Sequence, residues 1–253
     1  MLLDVHCHLT DPYFSESLDA IIKESIENNL GVIISAGLNM KDNRKVLEIS
    51  KKYEIVKAAL GIYPIDALDM DYEMIENEIR FIEQNKKKII AISEVGLDYH
   101  FSKESKKQKE VFQKFIELSE KINKPLIIHS RKAESDVIDM LESSNIKIAI
   151  FHSFGGNKNL IKRIIDNKWS FSIPPLIVRS SNYQTLVKIA PLQCLLTETD
   201  APYQSPLKNQ KNKPYLVTES IRKISEIKNL DQMETENIIF MNFQNIFMKW
   251  KTI

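Results

Sequence analysis

Short apolar runs separated by amphipathic stretches recur from one end of this chain to the other. The runs span 2–6, 31–36, 55–60, 88–95, 125–129, 147–152, 169–173 and 193–198. They are apolar at consecutive positions rather than alternate ones, the pattern of strands buried on both faces of a parallel sheet. Between them, apolar residues return every three or four positions, the helical period. In 17–29, for example, Leu18, Ile21, Ile22 and Ile26 fall on one face. The same period predicts helices over 42–53, 71–85, 106–123, 134–145, 158–167 and 182–190, with two closing helices over 215–228 and 231–250. Eight strands alternating with helices in 253 residues predict one (β/α)8 TIM barrel spanning 1–253. An open doubly wound sheet is the competing arrangement. Its dinucleotide-binding version is excluded, because no Gly-rich loop follows the first strand. No linker, repeat or low-complexity segment divides the chain.

Composition adds constraints. Hydrophobic residues make up 43% and charged residues 27%, which suits a globular protein with a large core. The formal net charge is +1, so attraction for a polyanion must come from a local patch. Lys103, Arg131, Lys132, Lys208, Lys211 and Lys213 are its candidates. The runs Lys86-Lys87-Lys88 and Lys106-Lys107 read as solvated helix ends. Two cysteines, Cys7 and Cys194, make no disulfide framework. No apolar stretch approaches the roughly 20 residues of a membrane span, and no signal-like segment opens the chain. The expectation is a cytoplasmic protein with no membrane association and no evident obligate protein partner.

The polar residues that end the apolar runs carry the chemistry. His6 and His8 close the first run. In a strand they point to one face, with Cys7 turned to the core. Glu94 closes the fourth run, His129 the fifth, His152 the sixth, and Asp200 follows the eighth. In a barrel the C-terminal strand ends converge on one mouth. Any one of these residues alone reads as a strand-end polar group or a helix cap; six at equivalent positions read as a metal centre. Six nitrogen and oxygen donors are too many for one open catalytic ion. They suit two cations about 3.5–4 Å apart that share a carboxylate. Glu94 is the natural bridge, because a carboxylate offers two oxygens. A donor set without thiolate fits Zn, Mn, Co or Ni, and Mg where waters complete the shell.

With these pieces in order, the chain resembles the TatD-type metal-dependent deoxyribonucleases of the amidohydrolase superfamily. The matching segments are Asp4-Val5-His6-Cys7-His8-Leu9, Gly61-Ile62-Tyr63-Pro64, Ser93-Glu94-Val95-Gly96-Leu97-Asp98-Tyr99, Ile128-His129-Ser130-Arg131, His152-Ser153-Phe154 with Gly156, and Thr197-Glu198-Thr199-Asp200-Ala201-Pro202-Tyr203. The resemblance implies a TIM barrel and a divalent-metal centre, with His6, His8 and Asp200 on one metal, His129 and His152 on the second, and Glu94 between them. It also implies hydrolysis of DNA phosphodiesters in an exonuclease-like manner. The chain departs from the family pattern at three places. An Arg-Gly pair ahead of Asn212-Lys213-Pro214 is missing, Lys132 replaces an acidic residue, and Tyr63 stands where His is common.

The expected reaction is attack of a metal-activated water on phosphorus, with Asp200 taking the proton, Glu94 at the metals and Arg131 contacting phosphate. Two other functions compete with it. One is a metal-dependent hydrolase of amide or carboxylic ester bonds, aminoacyl-tRNA esters included. The other is a non-catalytic barrel.

Overall fold

A computed structural model describes residues 1–248. Its strands are β1 (Leu2–Cys7), β2 (Leu30–Ala36), β3 (Val56–Leu60), β4 (Ile89–Gly96), β5 (Leu126–His129), β6 (Ala149–His152), β7 (Ser170–Ile173) and β8 (Leu195–Thr197). The helices are α1 (Leu18–Glu27), α2 (Met40–Lys52), α3 (Tyr72–Gln84), α4 (Ser105–Ile122), α5 (Glu134–Glu142), α6 (Lys158–Asp166), α7 (Ser181–Ile189), α8 (Val217–Lys228) and α9 (Gln232–Phe243). The strands pair in parallel in sequence order, from β1–β2 to β7–β8. This is the single-domain (β/α)8 barrel expected. No described helix is long and apolar enough to cross a membrane.

Every residue of β1, β7 and β8 is buried, because a barrel strand faces packed side chains inside and helices outside. Helix starts follow capping chemistry: Asn39, Asp71, Asn157 and Asp231 each accept a backbone N–H from the first turn of the helix they open. Cys7 is fully buried among apolar side chains, as its strand position predicts.

The barrel closes between β8 and β1 by a mixed set of bonds. Thr197 Oγ1 donates to the Leu3 carbonyl (2.7 Å), and the Thr199 amide donates to Asp4 Oδ1 (2.9 Å). The Asp200 amide donates to the His6 carbonyl and the His8 amide to the Ala201 carbonyl, both at 2.8 Å. This seam joins the start of the chain to a segment nearly 200 residues later, and it carries His6, His8 and Asp200.

The sequence reading differs from the structure at element ends. The first strand runs on to Cys7, with His8 just beyond it; Glu94 lies inside β4; and β8 stops at Thr197. Gln193 belongs to a short 3-10 turn, Leu192–Cys194, rather than to a strand. The last helix gives way to a π turn over Gln244–Met248. Residues 249–250 of the expected helix lie outside the described residues. Lys107 is not a free helix end: its ammonium donates to the carbonyls of Leu68 and Met70 (2.8 and 2.6 Å).

Candidate metal centre

All six residues expected to bind metal meet at the C-terminal mouth. Their donor atoms form three overlapping groups, each within 4.8 Å: His6, His8 and Glu94; Glu94, His129 and His152; and His6, His152 and Asp200. Glu94 sits between two histidine pairs. Its Oε2 lies 3.5 Å from His6 Nε2 and 3.4 Å from His8 Nε2. Its Oε1 lies 2.7 Å from His129 Nδ1 and 3.0 Å from His152 Nε2. Asp200 Oδ1 is 3.2 Å from His8 Nε2 and 3.8 Å from His6 Nε2. Two ligands each about 2.1 Å from a tetrahedral ion lie roughly 3.4 Å apart. The separations found are of that size. His6 Nε2 is buried with no hydrogen-bond partner, and it faces this cluster. A divalent cation fits the donor set.

Local backbone aims these side chains. The β4–β5 register shifts between Ile92 and Val95, around Glu94, and the β1–β2 register shifts between Asp4 and Cys7, around His6. Such irregularities redirect single side chains beside sites. Lys132, Ser153 and Asp200 follow the strand ends with left-handed φ of 58°, 45° and 54°. Non-glycine residues adopt this conformation at a cost, and they concentrate where a site fixes the chain.

Two further carboxylates support the histidines. Asp98 Oδ2 accepts from Tyr63 Oη (2.8 Å) and lies 2.8 Å from His129 Nε2. Its Oδ1 accepts the amides of His100 and Phe101 (2.8 and 3.0 Å). Gln108 clamps its backbone, accepting the Asp98 amide and donating to the Asp98 carbonyl. With Nε2 held by Asp98, His129 offers Nδ1 to the cluster, the arrangement that fixes a ligating tautomer. Glu198 is buried, accepts from the Ser153 amide (2.8 Å) and from the hydroxyls of Ser153 (2.7 Å) and Ser172, and stands 3.9 Å from His152 Nδ1.

Electrostatics tie the cluster together. Burial works against charge on His8 and His129, yet neighbouring carboxylates push both up to about 9: Asp200 and Glu94 for His8, Asp98 and Glu94 for His129. Burial lowers His6 to about 4, with His152 adding to the effect. Burial opposes ionisation of Glu94 and Asp200, but the surrounding histidines hold both below the usual carboxylate range. Burial pushes Glu198 up to about 7.

The cluster floors a cleft of about 950 Å³ whose rim includes Phe101, Arg131, Lys132, Arg179, Tyr203 and Lys211. The expected basic patch is thus narrower than the sequence implied. Lys213 pairs with Glu24 (3.2 Å), Lys103 donates to the Tyr99 carbonyl, and Lys208 is not among the lining residues. Where the Arg-Gly pair is missing, Asn209 supplies a left-handed residue (φ 60°), a conformation asparagine tolerates. Buried Asn212 ties the same loop to the site by donating to the Thr199 carbonyl (2.7 Å).

Sequence reasoning did not assign roles to Asp98, Glu198, Arg179, Phe101 or Tyr203. Asp98 and Glu198 carried a usable signal, being carboxylates four residues after Glu94 and two before Asp200. Arg179 carried none, since it lies in the aperiodic segment beyond β7.

Comparison with known proteins agrees with this fold. The family description "TatD related DNase" matches residues 3–248. An uncharacterised metal-dependent hydrolase of Methanocaldococcus jannaschii is 33% identical, over 98% of this chain and 97% of its own. Human deoxyribonuclease TATDN3 is 28% identical, over 98% and 95%. The crystal structure of a TatD homologue from Escherichia coli superposes with a TM-score of 0.91 at 23% identity, covering 97% of both chains. The chain belongs to the TatD family of metal-dependent hydrolases.

Proposed function

We propose that this protein hydrolyses DNA phosphodiesters, using two divalent cations held by His6, His8, Glu94, His129, His152 and Asp200. The observation that carries the proposal is Glu94, whose two oxygens each face a different histidine pair. Bound there, the cations supply Lewis acidity, which lowers the pKa of water and offsets charge on phosphoryl oxygens. The remaining work falls to side chains. Asp200 keeps 13% of its side chain exposed, against 4% for Glu94, so it is the cluster carboxylate that water reaches more readily. Its neighbouring histidines keep it ionised at neutral pH, as a general base requires. Asp98 orients His129 through Nε2, and Glu198 faces His152 Nδ1 from 3.9 Å without a hydrogen bond. Arg131 offers a planar fork suited to phosphate.

DNA is favoured as substrate by the cationic rim and by the deoxyribonuclease names of relatives such as human TATDN3. The test is incubation of metal-loaded protein with single-stranded DNA, duplex DNA, RNA and carboxylic esters, each with and without chelator. Chelator-sensitive DNA cleavage is expected. Ester hydrolysis with all nucleic acids left intact would replace this reading with the amide or ester hydrolase.

A further inference from the structure

Two large aromatic side chains stand exposed at the mouth, one on each flank of the cluster. Phe101 is 63% exposed and Tyr203 49%. Both line the cleft. Tyr203 lies beside His8, with ring centroids 6.1 Å apart, and its hydroxyl bonds Asp11 Oδ2 (3.0 Å). Phe101 lies on the flank of His129, because its amide is held by the same Asp98 that holds that imidazole. The loops after β4 and β5 are joined by the Tyr99 amide donating to the Arg131 carbonyl (2.9 Å). That bond brings Arg131 to Phe101, with the guanidinium carbon 5.0 Å from the ring centroid. Across the cluster, Lys211 Nζ stands 5.4 Å from the Tyr203 ring.

Arginine pairing differs over the surface. On the outer helices Arg44, Arg163 and Arg222 each pair with a carboxylate, while Arg80, among the described residues, bonds only the Asn77 amide oxygen. Among the described residues, neither Arg131 nor Arg179 at the rim has a carboxylate within ion-pair distance. Arg179 donates to one backbone carbonyl, that of Ser205 (2.9 Å), leaving most of its fork unused. Phe101 meets the His100 ring edge-to-face (centroids 4.9 Å) and Tyr203 meets the His8 ring, yet both keep much of their surface in water beside a cation that no described carboxylate pairs. Aromatic faces stack on nucleobases, and neighbouring cations take the attached phosphates.

We propose that Phe101 and Tyr203 are base-stacking platforms on either side of the cluster, and that they make this cleft select nucleobase-bearing strands over bare phosphodiester chains. The inference rests on the phosphodiesterase reading above and adds what recognises the substrate. Two partial units, each ring with its cation, hold the strand where it crosses the cluster, one nucleotide to a side.

The probe is a pair of fluorescent deoxyoligonucleotides of equal length, one normal and one built from abasic residues. Binding is read by anisotropy and cleavage by gel, on metal-loaded protein. The wild type is expected to bind the normal strand on the order of a hundredfold more tightly than the abasic one, about tenfold for each of the two lost base stacks. In Phe101→Ala that ratio falls by about tenfold and in the Phe101→Ala, Tyr203→Ala double variant towards one, while Phe101→Trp restores it and Arg131→Ala weakens both strands alike. Both rings are exposed, and circular dichroism checks that each variant stays folded. An unchanged ratio in Phe101→Ala and in Tyr203→Ala overturns the platforms, even where cleavage proceeds. Base-dependent binding with no cleavage overturns the phosphodiesterase reading instead and retains the platforms.

Discussion

At the residue scale, the cluster divides into groups that hold charge and groups that aim them, and the two respond differently to substitution. Asp200→Asn keeps shape and hydrogen bonding but cannot accept a proton from water. Its expected effect is a loss of ~10²–10⁴-fold in kcat with the fold intact. Activity within about threefold of wild type would remove Asp200 from the base role. Asp98 works at one remove, through His129. Asp98→Ala leaves His129 Nε2 and Tyr63 Oη without their shared acceptor. Loss of such a supporting carboxylate costs about 10–100-fold in metal affinity. Equilibrium dialysis with a coloured metal ion such as cobalt measures it directly; unchanged affinity would show that packing alone aims His129. The donors themselves were legible in the sequence, because each falls where an apolar run meets a loop. Their supporters were not. The pairing of Asp98 with Tyr63 and His129 joins three strands, and no local pattern records it.

At the scale of elements, two glycines decide how closely the strand ends approach. A Cβ on Gly61 would lie 2.6 Å from the Ser93 carbonyl carbon and 2.7 Å from the Glu94 amide nitrogen. The end of β3 therefore reaches the Glu94 segment only as glycine. Gly96 is more demanding. Its φ is +139°, and a Cβ there would lie 1.9 Å from the His129 carbonyl oxygen. Gly96→Ala is expected to destabilise the barrel by about 2–5 kcal/mol, from backbone strain and forced separation of β4 from β5. Gly155→Ala serves as comparison, since its Cβ would meet only Glu134 Oε1 at 3.4 Å. Urea midpoints should fall markedly for the first and barely for the second; equal midpoints would refute the close-approach argument. The period of apolar residues located every helix and strand of the barrel but misplaced their ends. The last helix shows why: residues 238–248 remain largely apolar through Phe243, where the α-helix stops, so hydrophobicity cannot mark the π turn that follows.

At the scale of the molecule, closing β8 on β1 concentrates four imidazoles and two carboxylates in one buried place, and that arrangement sets how stability responds to pH. His8 and His129 are raised to about 9 from an ordinary 6.5 by the carboxylates around them. A cation whose folded pKa is raised contributes stability that is fully present below its unfolded pKa and lost as pH rises through the folded one. Glu198, pushed up to about 7 from 4.5 by burial, adds a loss in the same direction between those two values. The metal-free protein should therefore melt at progressively lower temperature from pH 7 to 9. Divalent cations bind the neutral form of the same nitrogens, so binding releases protons and tightens across that window. With zinc at saturating concentration the melting temperature should stay level or rise where the metal-free curve falls, the gap widening with affinity. Calorimetric scans at pH 6, 7, 8 and 9, with zinc and with chelator, read both curves. A metal-free Tm that is flat or climbs above pH 7 would mean that the histidine–carboxylate contacts do not stabilise the empty cluster. Parallel curves with and without zinc would mean that the cation binds somewhere other than on these imidazoles.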